Sequence, residues 1–550
     1  MSKYKYLSQF LTLIGLLGLV SMLNSCKRGF LNTTNPNQQT SVTFWTSESD
    51  VVSALAATYS PMRVPLYSYW GGFTGFQDIN SLGDDVMTIP GEEPSTWQIA
   101  SFTNDPNNGD AGTNFQKMYM CIYRANLVIA NTPNVNMDAS KKTAYIAEAK
   151  FLRGLAYFVL ASNYGDVPIH LVPATTTDQQ YIPKSPVSDV WNVVKKDFTD
   201  AGQGLPVTRG SSDLGRATSG AALAFLGKTY LYQAKYDSAE SALLQLTTAP
   251  YNYSLLTNFD DNFTANNKYN QEDVFRWVYG AFGPTYGAWS EESKSAGMYN
   301  YIPQLVGPVG GGGWFKYVPS NFIINEFFKE LRPSGSDTKF DKRMYSTFFW
   351  KRSNFGEPDI TWYGGTMTFD QLWSSCLGKV SRFYPTYNLD TITHGKFLIR
   401  KFTNAWENIA NADNYWGPTP STANYEIMRY AEVLLNLAEA QIKNNHLPAA
   451  IANINLIRER AGLSDKTATD LPSADAAMTE LMHQKLLELY FEQCRWNDVK
   501  RWYTPDQLKQ LYTTNGKQGI ENMQPKHYLF PIPASEINTN NKLVQNPLWK

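Results

Sequence analysis

A chain of 550 residues, 43% of them hydrophobic, has ample apolar material for a core, which excludes a wholly disordered protein. Its 48 basic and 49 acidic side chains leave a formal charge of −1. That balance excludes a protein that holds nucleic acid through excess Lys and Arg. The 15 Trp, 33 Tyr and 29 Phe supply more ring surface than a plain helical scaffold requires.

Lys3 and Lys5 precede the apolar run Phe10 to Val20, too short to span a bilayer, which needs about 20 residues. Residues 1–25 therefore read as a signal peptide. Leu23-Asn24-Ser25-Cys26 resembles a bacterial lipobox, which makes Cys26 the expected lipidation site and membrane anchor. Residues 26–43 read as a tether, because Asn32 to Thr40 is polar and has no apolar period.

Residues 44–256 carry helical signals. Ala149, Leu152, Ala156 and Val159 form one stripe, stopped by Gly165 and Pro168. Val187, Val190, Trp191, Val194 and Phe198 form another, with Ser185 expected as N-cap and Pro186 at the first helical position. Ala222, Phe225, Leu226, Thr229 and Tyr230, followed by Tyr236, Ala239, Leu243 and Leu246, resemble a tetratricopeptide helical hairpin. From 257 to 424 the helical period fades while Gly, Pro, Asn, Tyr and Trp accumulate, so this stretch reads as a loop-rich insertion with short strands. It includes Tyr286-Gly287-Ala288-Trp289, the run Gly310–Gly313 before Trp314, and Trp362-Tyr363-Gly364-Gly365. Residues 425–550 return to helix and end in an extended tail. Ala431, Leu434, Leu435, Ala438 and Ile442 lead across Asn444-Asn445-His446 into Leu447, Ala450, Ile451, Ile454 and Ile457, a second hairpin. Each hairpin alone exposes an apolar face, so stacking is required to bury it. The expected fold is mostly α: tetratricopeptide-like hairpins as a scaffold, with the loop-rich insertion carrying the binding face.

Beyond Cys26, Cys121, Cys376 and Cys494 lack any CxxC spacing and read as buried free thiols. The five His are scattered without HExxH, so neither metal nor cofactor is expected. Glu488, Glu492 and Arg495, spaced four and three apart, are expected on one helical face as ion pairs rather than as a general-acid pair.

Four segments together resemble the SusD/RagB family of outer-membrane nutrient-binding lipoproteins. They are Glu148 to Phe158 running into Tyr164-Gly165-Asp166-Val167-Pro168; Ile457 to Gly462; Glu488 to Asp498 with Lys500-Arg501-Trp502; and Tyr528 to Pro533 followed by Glu536-Ile537 and Gln545-Asn546-Pro547. Gln493 stands where a Gly is commoner in that family. The resemblance implies non-catalytic capture of an oligosaccharide, or in some branches a peptide, and delivery to a TonB-dependent transporter at the outer membrane, on its cell-surface side. Other classes are a glycoside hydrolase, which needs two carboxylates at a set separation, and a protein-only scaffold, which leaves the loop aromatics unexplained. For a sugar ligand, flat rings cover the C–H face of a pyranose while polar side chains take its hydroxyls. The ring candidates in Gly-rich loops are Tyr67, Tyr69, Trp70, Trp97, Tyr286, Trp289 and Trp314; the polar candidates are Asp78 and Asn80, with Asp84 and Asp85 beside them. Trp191, Trp277, Trp496 and Trp502 follow helical or strand periods and are expected to pack. The glycine run is expected to present Trp314 and Phe315 flexibly.

Overall fold

The structure is a computed structural model that describes residues 44–63, 79–89, 94–280, 300, 302–383, 396–403, 405 and 421–550. Helix α1 (Glu48–Arg63) is followed by strand β1 (Val86–Thr88) and the short helix α2 (Pro94–Ala100). Next come α3 (Gly109–Asn131), α4 (Ala139–Tyr164), α5 (Val187–Gly204) and the hairpin α6 (Ser219–Tyr232) with α7 (Tyr236–Leu244). The central stretch supplies β2 (Asp273–Trp277), α8 (Ile302–Val306), β3 (Tyr317–Pro319), α9 (Asn321–Phe328), α10 (Lys342–Thr347), β4 (Phe348–Phe349), α11 (Phe369–Phe383) and β5 (Leu398–Ile399). The C-terminal part runs through β6 (Tyr425–Arg429), α12 (Tyr430–Lys443), α13 (Leu447–Arg460), α14 (Ala474–Glu488), α15 (Arg495–Trp502), α16 (Pro505–Thr514) and α17 (Ala534–Thr539).

The helices pack as a chain of neighbours: α1 on α3, α3 on α4, α4 on α5, α5 on α6 and α6 on α7. The array then continues across the sequence gap, because α7 packs on α12, which packs on α13 and α14. The two hairpins read from sequence are therefore consecutive members of one stack. A buried ion pair ties them, Lys228 Nζ to Glu432 Oε1 at 2.6 Å. Among the described residues, strands occur as three antiparallel pairs, β1–β3, β2–β6 and β4–β5. One hydrophobic core runs from Met62 to Leu543 and draws on the N-terminal, central and C-terminal stretches alike. The central stretch has a second, smaller core in which Phe349, Trp362 and Tyr363 cluster with Leu372 and Trp373 of α11.

Several motif residues take structural posts. Gly165 ends α4 at φ 77°, and a Cβ there would lie 2.9 Å from Leu529, so both backbone and space demand glycine. Asp166, next to it, accepts the Val187 N–H at 2.8 Å. The start of α5 thus differs from the expectation: Pro186 is the N-cap residue and lacks a capping side chain, so Asp166 does that work from a distance, while Ser185 pairs with Val167. Arg153 grips Asp197 with two bonds of 2.8 Å, which fixes α4 to α5. The tail lies across the body: Phe530 donates its N–H to the Asn163 carbonyl (2.7 Å), and Asn546 Nδ2 donates to the carbonyls of Tyr164 and Phe530 (3.0 Å each).

Candidate functional site

Most of the ring surplus is spent inside. Phe151, Phe198, Phe225 and Phe275 form one buried aromatic nest, and Trp277, Trp350 and Trp496 are buried. Trp191 and Trp502 are half-buried against the same core, in line with their periodic spacing. Cys121, Cys376 and Cys494 are buried and unpaired with one another.

Of the proposed ring contacts, Trp97 and Trp314 lie among the described residues. Both are half-buried, and Trp314, like Trp191 and Trp502, packs in part against the main core. Trp97 belongs to α2, whose buried residues are Thr96, Ile99 and Ala100, so its ring stands off the packed stripe. Its neighbour Gln98 is committed to the Nδ2 of Asn108, the residue that caps α3. Trp314 precedes β3 and lies between two lysines. Lys316 Nζ is 5.3 Å from the indole centroid, and Lys379 Nζ donates to the Trp314 carbonyl. Phe315 between them is left-handed (φ 49°), so nearness in sequence, not strand alternation, marks Lys316 as a neighbour. Lys379 has no comparable sequence signal.

The glycine run is not a flexible presenter. Gly312 (φ 79°) closes a 3₁₀ turn, the N–H of Gly313 bonds the Pro308 carbonyl at 2.9 Å, and the N–H of Gly310 bonds Ser375 Oγ at 2.7 Å. A Cβ on Gly313 would overlap the Gly307 backbone, and one on Gly311 would overlap the Tyr363 hydroxyl. The glycines are there for close packing, and Phe315 behind them is 1% exposed. Trp314 is thus mounted on a rigid turn, anchored through its own N–H to the Gln304 carbonyl.

Asn80, Asp84 and Asp85 also depart from the expected role as ligand partners, since all three are buried. Asn80 Oδ1 accepts the Gln493 N–H at 2.9 Å, and Asp84 takes a two-pronged grip from Arg495 (2.7 and 2.9 Å). Burial, helped by the charge of Asp84, pushes the Asp85 carboxyl up to about 7. Tyr67, Tyr69, Trp70, Asp78, Tyr286, Trp289 and Cys26 lie outside the described residues.

The C-terminal part holds a buried ionic cluster. Glu488 and Glu492 do not share a helix with Arg495: α14 ends at Glu488, and α15 starts at Arg495 after a tight turn. Glu488 meets Arg429 (2.9 Å), Arg343 (3.3 Å) and Arg460, while Glu492 meets Arg429 (2.8 Å) and Lys401 (2.5 Å). Burial raises both carboxyls, but the cations outweigh it and hold both below the usual range, so neither is a proton donor near neutral pH. The same burial drops Lys401 to about 8 against the pull of Glu492. The turn between the helices ties this cluster to β3 and β6. Phe491 packs on Tyr317 of β3 with centroids 5.3 Å apart, and Gln493 Nε2 donates to the Tyr425 hydroxyl at 2.9 Å. Tyr425 opens β6, where Asn424 Oδ1 accepts the Tyr279 N–H (3.2 Å) and Ser421 pairs with Asn300.

The family described as the SusD family matches residues 261–549, more than half of the chain. The chain belongs to the SusD family. A second family, described as starch-binding associating with outer membrane, matches residues 29–231. A SusD-like protein P2 of Formosa agariphila is 24% identical over 528 residues, covering 92% of this chain and 93% of its own. Among solved structures, a SusD superfamily protein from Bacteroides vulgatus superposes with a TM-score of 0.75 at 26% identity, covering 92% of this chain and all of that one. A laminarin-binding SusD-like protein gives 0.71 at 22% identity, covering 91% and 99%. Surface glycan-binding protein A from Bacteroides thetaiotaomicron, in complex with laminarihexaose, gives 0.69 at 17% identity, covering 91% and 100%. The mostly α, tetratricopeptide-like architecture read from the sequence is the SusD-like fold. Among the described residues no helix is long and apolar enough to cross a membrane, and no group of three or more His, Cys, Asp or Glu is arranged to hold a metal ion.

Proposed function

We propose that this SusD-family chain captures oligosaccharides without cleaving them, and hands them to a TonB-dependent transporter while held at the outer membrane through Cys26. The observation that carries the reading is Trp314, a partly exposed indole on a packed glycine turn with Lys316 against its ring. A rigidly mounted ring loses little freedom when a pyranose lies against it. Covering about 80 Å² of apolar surface contributes at most ~2 kcal/mol per ring. Two or three rings then reach affinities of about micromolar to millimolar, weak enough for release to a transporter. The glycan ligands named for two of the neighbours above, laminarin and laminarihexaose, favour a sugar over a peptide. The ionised state of Glu488 and Glu492 agrees with binding rather than hydrolysis.

The test is calorimetric titration of a hexasaccharide panel that includes laminarihexaose. Trp314→Ala and Trp97→Ala should each weaken binding roughly tenfold, about 1.4 kcal/mol, with the melting temperature nearly unchanged for Trp97→Ala and slightly lowered for Trp314→Ala, which also gives up part of a core contact. Retained affinity, or a large loss of stability, would show that these rings pack instead of binding. New reducing ends after incubation would make the protein an enzyme.

A further inference from the structure

A groove of about 540 Å³, apart from Trp97 and Trp314, is lined by residues from α3, the 168–181 connection, the tail helix α17 and the segment just after it. Its volume lies inside the roughly 300–1,000 Å³ of small-ligand sites. Three of its large apolar side chains are left exposed: Met120 at 39%, Tyr123 at 52% and Val172 at 67%. Soluble proteins seldom leave such side chains gathered in a concavity without a use.

The walls are pinned, and family-motif residues do the pinning. The Tyr157 hydroxyl accepts the His170 N–H at 2.7 Å; Asn126 Nδ2 donates to the His170 carbonyl at 3.0 Å; and Arg153 Nη1 donates to Asn126 Oδ1 (2.7 Å) and to the Leu171 carbonyl (3.1 Å). The Tyr119 hydroxyl donates to the Pro168 carbonyl at 2.7 Å. On the opposite side, Asn540 Nδ2 donates to the Ile182 carbonyl (2.8 Å), and Glu536 accepts from Gln116 (2.9 Å). Little ordering is left for a ligand to impose.

The lining sets the chemistry. Tyr119, Tyr123 and Tyr181 offer ring faces, and His170, Gln180 and Glu536 offer polar groups beside them. The lining contains no lysine or arginine, so nothing there would hold an acidic ligand. Tyrosine combines a flat apolar body with a hydroxyl at its tip, which matches a pyranose with its C–H face and polar rim. We propose that this groove is a second saccharide site, which takes a short neutral oligosaccharide between Tyr123 and Tyr181. The inference rests on the glycan-capture reading above, but its residues are separate from Trp97 and Trp314.

The test uses the full chain in detergent, titrated with laminarihexaose, cellohexaose and maltohexaose, with choline as a cationic control. One of the three sugars should bind at two sites per chain. In a Trp97→Ala/Trp314→Ala background one site should persist, and adding Tyr123→Ala should weaken it at least tenfold. Val172→Arg, at an exposed position, should block that site by filling its mouth, and should leave the melting temperature unchanged. Two sites that ignore both groove variants, a stoichiometry of one that disappears with Trp97 and Trp314, or displacement of the residual site by choline would each overturn the inference alone. Failure of all three sugars to bind any form would overturn it together with the glycan-capture reading.

Discussion

Phe491 (φ 62°) and Gln493 (φ 63°) hold left-handed backbone on either side of Glu492, a conformation that costs a non-glycine residue about 1–2 kcal/mol. Glu492 is clamped by Arg429 and Lys401, so the turn is over-determined by its ion pairs. Glycine would adopt this backbone at Gln493 without strain, and glutamine adds a bond to the Tyr425 hydroxyl. Gln493→Ala keeps the strain and loses the bond, whereas Gln493→Gly loses both. Chemical denaturation should therefore show the glycine variant about 1 kcal/mol more stable than the alanine variant. Equal stability would mean that the backbone here is relaxed. His483 gives a pH-dependent counterpart. Burial would strip its proton, but Glu326 at 3.0 Å and Glu330 at 3.1 Å outweigh that and raise its pKa above the ordinary value. A raised folded pKa means stability fully present below the unfolded value of about 6.5 and lost as pH climbs through the folded one. Glu330, brought down to about 2 by His483 and Arg458 against its burial, keeps its charge at pH 6. The stability gap between the native chain and His483→Gln should thus be larger by roughly 1–3 kcal/mol at pH 6 than at pH 9. A gap that does not vary with pH would show His483 to be neutral throughout.

At the scale of elements, the hairpins were legible because apolar residues recur at 3.6 and the turns carry their own punctuation, as at Asn445 with φ 62°. Their stacking was not. It is specified by faces that meet only after the chain has travelled through the whole central stretch, and by Lys228 and Glu432, two charges among 97. The break between α14 and α15 was hidden for a related reason. Spacings of four and three imitate one continuous helix, and neither left-handed residue of the turn is Gly or Asn. Gly310–Gly313 has the composition of a flexible loop, and only the neighbours Tyr363, Ser375 and Gly307 make it a packed one. Trp97 and Trp314 could be picked out as rings near glycines, but Asn80 and Asp84 could not be told from surface polar groups until Gln493 and Arg495 were seen on them. The Lys228–Glu432 pair makes hairpin stacking testable. Lys228→Met leaves Glu432 buried and unpaired and should cost about 3–5 kcal/mol, while adding Glu432→Leu should restore most of it. A double variant no more stable than the single one would mean that the pair contributes through its shape and not its charges.

At the scale of the whole molecule, the tail decides whether the chain unfolds as one body. Phe530, Ile532 and Leu543 belong to the same core as Phe151 of α4 and Leu434 of α12, so residues distant in sequence share one apolar interior. Asn546 closes that interior. It is 3% exposed, and its Nδ2 holds the carbonyls of Tyr164 and Phe530, at the C-terminal end of α4 where Gly165 turns the chain out. Asn546→Ala would leave both carbonyls buried without this donor, at a cost of about 1–3 kcal/mol each at most. If the N-terminal helices, the central stretch and the C-terminal part form one cooperative unit, the variant should shift a single unfolding transition to lower temperature, with the same midpoint from far-ultraviolet circular dichroism and from tryptophan fluorescence. Local fraying would look different: an early circular-dichroism loss from α17 and the tail, with Trp496 and Trp350 fluorescence unmoved. Separate midpoints of that kind would mean that the shared core does not couple the three stretches. The rigid mounting of Trp314 would then depend on the contacts of the central stretch alone.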